Sequence, residues 1–175
     1  KKVDGIPYDG KYIFSEMGYN FLPSEISAAF ALEQLKKLKE NINTRIKNFN
    51  MISSYFKKYE NLFILPKEFK GLKTAWLAFP LIIKNESKIV RKTLQIFLEK
   101  NGIQTRTIFT GNILRQPIMK SKFYRKCKDS TINSDNVMKN GLLIGCHHGL
   151  SSKDVRFMLS KFDKFFTKFN LKSLN

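Results

Sequence analysis

Cysteine, histidine and acidic residues are all scarce in this sequence: two Cys, two His and 14 Asp plus Glu among 175 residues. The cysteines, Cys127 and Cys146, form neither a Cys-x-x-Cys pair nor a zinc-ligand spacing. That argues against a metal centre and fits a reducing compartment. Long apolar runs are missing too, for no stretch approaches the roughly 18 residues that mark a membrane helix. Lys1, Lys2, Val3, Asp4 and Gly5 offer no apolar signal core. The expected location is therefore cytoplasmic, with no membrane partner. Internal repeats and low-complexity linkers are also absent. What is present is 42% hydrophobic content with 16 Phe, enough for one sizeable domain with its own core.

The charge is one-sided, +18 from 32 basic against 14 acidic residues. Such an excess suggests a nucleic acid or another anionic surface. Its distribution argues otherwise, because the lysines are strewn along the chain (Lys36, Lys37, Lys57, Lys58, Lys92, Lys120, Lys122, Lys161, Lys164, Lys168) rather than gathered in one tract. A basic, non-enzymatic nucleic-acid-binding module stays as the alternative of another class. It lacks a nucleic-acid motif, and the aromatics fall on helix faces that read as buried.

Residues 1–22 read as an extended segment rich in Gly and Tyr. Pro23 and Ser24 supply helix-start chemistry, and apolar residues then recur at Ile26, Phe30, Leu35, Leu38, Ile42, Ile46, Phe49, Ile52, Phe56 and Tyr59. Steps of mostly three or four predict one long amphipathic helix over 23–60, bent or broken once. Residues 61–175 read as a small α+β domain. Trp76 to Ile83 is a strand that Pro80 places at an edge or distorts. Ser87 is the expected cap of a helix carrying Ile89, Val90, Leu94, Phe97 and Leu98, which Asn101-Gly102 closes. Ile103 to Phe109 is a further strand, a short helix near Asp135 to Asn140 stops at Gly141, and Leu142 to Gly145 is a brief strand. Ser151-x-x-Asp154 resembles a capping box for a last helix with Val155, Met158, Leu159, Phe162, Phe165, Phe166 and Phe169 on its apolar face.

Two stretches carry chemistry. Thr105-Arg106-Thr107-Ile108-Phe109-Thr110-Gly111-Asn112-Ile113-Leu114-Arg115-Gln116-Pro117 sets two guanidinium forks around a Gly-Asn turn, a pattern suited to phosphate or carboxylate oxygens. The same residues also read as surface arginines flanking an ordinary turn. Gly145-Cys146-His147-His148-Gly149-Leu150 holds both histidines between a strand and a helix start. Adjacent imidazoles on an extended segment point to opposite sides, so they are poor joint metal ligands. Substrate contact and a purely structural turn both remain open.

Gly18-Tyr19-Asn20, Ser24-Glu25-Ile26-Ser27-Ala28-Ala29 and Leu32-Glu33-Gln34-Leu35, followed by Trp76-Leu77-Ala78-Phe79-Pro80, resemble the DegT/StrS-type pyridoxal-phosphate sugar aminotransferases. The arginine turn and the Gly-x-His-His-Gly-Leu stretch are similar to the branch that includes the sugar-nucleotide 4-keto 3-dehydratases. The resemblance implies the long helix and small carboxy-terminal domain of a fold-type I, aspartate-aminotransferase-like enzyme. The large domain, with the Schiff-base lysine and the acid facing the pyridine nitrogen, would lie upstream, so no catalytic residue is expected here and these residues alone should be inactive. Dehydratase variants replace that lysine with histidine, again upstream.

The cofactor implied is pyridoxal 5'-phosphate, and Asn20 resembles a ligand of its phosphate across a homodimer interface. Leu22 departs from the basic residue that many relatives carry there. Arg106, Asn112, Arg115, His147 and His148 become the candidate substrate contacts. The implied reaction is amino transfer from a donor such as glutamate to a nucleotide-linked keto sugar in surface polysaccharide or lipopolysaccharide biosynthesis. Removal of the sugar 3-hydroxyl is the alternative.

Overall fold

The computed structural model describes residues 2–3, 6–7, 19, 21, 23–117, 119, 124–125 and 131–174. The chain divides into two compact units, Lys1–Leu38 and Lys39–Asn175. In the first, β1 (Lys2–Val3) pairs antiparallel with β2 (Ile6–Pro7). Helix α1 (Glu25–Lys36) follows Ser24, whose extended backbone stands at the N-cap and whose carbonyl accepts from Ala28 N at 2.9 Å. α1 buries none of its residues.

The long helix expected from Ser24 to Tyr59 is two helices. α1 ends at Lys37, where the backbone N–H turns to the carbonyls of Gln34 and Leu35, and α2 (Leu38–Lys57) runs on into the second unit. Only the later part of the apolar stripe is core: Phe49, Ile52, Phe56 and Tyr59 are buried, whereas Ile26, Phe30 and Leu35 are exposed.

The second unit is built on four antiparallel strands, β3 (Phe63–Ile64), β4 (Ala78–Ile83), β5 (Thr105–Arg106) and β6 (Gly141–Gly145), in the order β3-β4-β6-β5. Along β4, Phe79, Leu81 and Ile83 point into the core while Ala78, Pro80 and Ile82 are half-buried, the period of two expected of a strand. Helices α2, α3 (Arg91–Lys100) and α5 (Ser152–Lys168) share that core. Phe56 of α2 meets Phe162 of α5 edge-on at 5.0 Å and Phe79 of β4 at 6.0 Å. Each fully buried ring contributes about 1.5–3 kcal/mol by removal from water. Helix α4 (Ile132–Asn140) leads directly into β6.

Pro80 lies in an interior strand rather than at the sheet edge, and the pairing shows why it is tolerated. Cys146 N donates to Leu77 O, so the antiparallel alternation makes Pro80 and Leu143 a non-hydrogen-bonded pair. The donor that proline lacks would face the β3 side, where β3 pairs only with Ile82 and Ile83. Locally, that side of β4 is an edge.

Helix ends are set by nearby chemistry. Ser151 Oγ accepts from Asp154 N and the Asp154 carboxylate accepts from Ser151 N, a complete capping box for α5. α3 closes as expected. Gly102 takes φ +78, its N–H donates to Glu99 O, and Ile103 N donates to Leu98 O. Ser87 is not its cap: Val90 stands at that position, and Ser87 Oγ instead accepts from Ile89 N in the preceding turn. The strand expected over Ile103 to Phe109 shrinks to Thr105–Arg106, because Phe109 (φ 46) and Gly111 (φ 66) turn the backbone left-handed.

Candidate functional site

The arginine turn begins where β5 ends. Gly111 backs onto α4 so closely that a Cβ there would lie 2.5 Å from Met138 Cβ, and the positive φ also favours glycine. Asn112, only 3% exposed, then caps a short 3-10 turn, Ile113–Arg115. Its Oδ1 accepts from Leu114 N at 3.1 Å and its Nδ2 donates to Asp135 Oδ1 at 2.8 Å. Asn112 thus holds the turn from inside.

Arg115 donates to Asp135 through both prongs, Nε to Oδ1 at 3.0 Å and Nη2 to Oδ2 at 2.8 Å, and Thr131 Oγ1 adds a bond at 3.3 Å. Hydrogen bonds from Arg115, then from Asn112, hold the Asp135 carboxyl well below the usual carboxylate range. Arg115 keeps 62% of its side chain exposed, but its charge is already partnered. Arg106 is exposed and has no ion pair among the described residues.

The histidine stretch lies at the other end of β6. Thr105 pairs with Ile144 and Arg106 with Leu143, so the chain leaving β5 runs toward Gly141, whereas His147 follows Gly145. At about 3.4 Å per residue, the two ends of β6 stand roughly 14 Å apart. The five expected substrate contacts are therefore two clusters, with Arg106 on the strand between them.

Two residues of α2 join the second cluster. Asn48, 1% exposed, donates through Nδ2 to His147 O at 3.1 Å and to Leu150 O at 2.9 Å. Arg45 donates to His148 Nδ1 from Nε at 3.3 Å and meets it through Nη2 at 3.2 Å. His147 Nδ1 accepts from Gly149 N at 3.2 Å, and its ring lies close against both flanking glycines. Cys146 is buried with Sγ 3.2 Å from Trp76 O. Burial pushes its thiol up to about 12, with Arg45 opposing, so it is no nucleophile at neutral pH.

Nothing local in the sequence flagged Arg45 or Asn48, which sit 103 and 99 residues from their histidine partners. Asp135 carried a weak signal, as an acid in the first turn of the short helix that follows the arginine turn.

Asn20, the residue with an implied cofactor contact, lies outside the described residues, as do Leu22 and Cys127. A Schiff-base lysine must be desolvated or charge-tuned to act at neutral pH. Among the lysines whose side chains are described, none is buried. Among the described residues no group of three His, Cys, Asp or Glu could hold a metal ion, and no helix is long and apolar enough to cross a membrane.

Comparison with known proteins agrees with this architecture. The chain is 33% identical over 159 residues to the lipopolysaccharide biosynthesis protein RfbH of Salmonella typhimurium, covering 91% of this chain and 36% of that protein. It is 34% identical over 150 residues to the GDP-4-keto-6-deoxy-D-mannose 3-dehydratase of Escherichia coli O55:H7, covering 83% of this chain and 38% of the relative. The solved E. coli GDP-4-keto-6-deoxy-D-mannose-3-dehydratase with bound hydrated PLP superposes with a TM-score of 0.75 at 30% identity, over 91% of this chain and 41% of that one. The chain thus spans well under half the length of the relatives it matches. The family described as DegT/DnrJ/EryC1/StrS aminotransferases matches residues 2–163, and the chain belongs to that family.

Proposed function

We propose that these residues form the small-domain part of a pyridoxal-phosphate-dependent enzyme that removes the 3-hydroxyl of a nucleotide-linked 4-keto sugar in surface polysaccharide biosynthesis. The observation that carries this reading is the similarity to a GDP-4-keto-6-deoxy-D-mannose 3-dehydratase at 34% identity. Amino transfer to a similar sugar is the second reading, favoured by the aminotransferase description of the family itself. In either case the cofactor would be held chiefly by residues beyond these, and the enzyme would work as a homodimer.

Within this chain, Arg106 offers a diphosphate an exposed guanidinium that has no ion pair among the described residues. His147 and His148 offer ring N–H donors to sugar or phosphate oxygens, and Arg115 adds a partly compensated charge from its exposed side. Asn112 serves by keeping the Arg115 turn in shape.

The test uses the enzyme that carries this chain, supplied with pyridoxal phosphate, glutamate and a GDP-linked 4-keto-6-deoxy sugar. Mass spectrometry should find a product that has lost the 3-hydroxyl. A product that keeps that oxygen and gains an amino group would establish the second reading. Arg106→Ala should weaken sugar-nucleotide binding by about 10- to 150-fold, the loss of one charge-assisted contact of roughly 1.5–3 kcal/mol. Unchanged binding would remove Arg106 from the site.

A further inference from the structure

We propose that Arg45 and Asn48 are positioning residues for the Gly145–Leu150 turn, and that Arg45 fixes His148 as its Nε2–H tautomer. The use made of that donor rests on the reading of His148 as a substrate contact. Arg45 and Asn48 stand three residues apart on α2 and so share one face of the helix. Both engage the same turn. Asn48 is buried, and its Nδ2 bonds two backbone carbonyls, those of His147 and Leu150. Leu150 N also donates to His147 O at 3.1 Å, so the turn is closed on itself and then tied to the helix.

Arg45 acts on the ring. A guanidinium has donors and no acceptor, so the nitrogen it approaches must carry a lone pair. Nε and Nη2 both converge on His148 Nδ1, which leaves the proton on Nε2. A carboxylate at the same place would select the opposite tautomer. Among the described residues no carboxylate bonds either histidine. His147 reaches the same tautomer by another route, since its Nδ1 accepts from Gly149 N within the turn itself. The exposed His148 ring is thereby set to donate, which suits a hydroxyl or phosphate oxygen.

The experiment is imidazole nitrogen NMR on the full chain labelled with 15N histidine, in alkaline buffer where imidazole is uncharged. In the parent, His148 should show Nδ1 unprotonated and Nε2 protonated. Arg45→Met removes every donor and should move the two His148 resonances toward each other while leaving His147 in place. Arg45→Lys keeps the charge but replaces the fork with a point donor, and should give a smaller shift in the same direction. His148 resonances unmoved in both variants would overturn the proposal, whatever happens to thermal stability.

A second arm separates this inference from the functional reading, with GDP as the probe on the enzyme that carries this chain. His148→Ala and Arg45→Met should each weaken GDP binding by about 2- to 12-fold, the range for one ordinary hydrogen bond. A tautomer shift in Arg45→Met with GDP binding unchanged in both variants would support the positioning role and overturn only the substrate reading of His148.

Discussion

Asp135 shows how one acid among many bases can organise a turn. It takes bonds from Arg115, Asn112 and Thr131, and those bonds favour its charged form. The sign of the pH effect follows from that direction. A carboxyl whose folded value lies below its unfolded one contributes stability that is fully present above the unfolded value, near 4. The contribution is lost as pH falls from there through the depressed folded value. Asp135→Asn keeps the shape and removes the charge. The stability gap between parent and variant, read from urea unfolding midpoints, should be widest near pH 7 and narrow steadily below about pH 4. Comparing the two proteins also cancels the contribution of Asp154, whose carboxyl is lowered by its bonds to Ser151. A gap of equal size at pH 7 and at about pH 3 would mean that the Asp135 charge does not support the turn.

Among elements, those whose causes are local were legible in the sequence. α5 starts at Ser151 because the bonds that cap it close within four residues, and α3 stops at Asn101-Gly102 because glycine accepts the left-handed step. Removing the cap should cost accordingly. Ser151→Ala should lower stability by roughly 0.5–2 kcal/mol, seen as a lower urea midpoint with an unchanged slope. An unchanged midpoint would mean that α5 is held by its buried face alone. Elements whose partners are remote were not legible. From sequence Pro80 marks its strand as an edge or a distorted one, and only the remote pairing of β3 with Ile82 and Ile83, stopping short of Pro80, shows that β4 is an edge on one side there. The tie between α2 and the histidine turn spans about a hundred residues, and a lone Asn48 on an apolar helix stripe looks like any other polar position. Ser87 failed as a cap for a smaller reason: its hydroxyl is used by the turn before α3. Even so, three of the four strands and the three core helices were anticipated in kind, because Phe and aliphatic spacing separates the helical stripes from the β4 alternation, whereas β3, two residues long, is too short to show a period.

At the scale of the whole molecule, the apolar surface is unevenly covered. In the second unit the aromatic side chains of α2 and α5 are packed against one another and against β4. In the first, α1 exposes Ile26 at 83%, Phe30 at 67% and Leu35 at 62%. Its apolar residues also fall on more than one side, for Leu32 is 63% exposed as well. A helix apolar over so much of its circumference is ordinarily buried. Small residues Ser27, Ala28, Ala29 and Ala31 between the large ones permit close approach by another body. The chain covers 36% and 38% of the length of two relatives, and the cover we propose for α1 is a further domain. On that argument the 175 residues by themselves should bind a hydrophobic dye or self-associate, despite a net charge of +18 that opposes association. The double change Phe30→Ser with Leu35→Ser should abolish both effects and leave the unfolding midpoint of the second unit unchanged, because it removes no buried contact. Sedimentation of the unaltered chain as a monomer without dye binding would show that α1 needs no cover and would count strongly against a second domain resting on it.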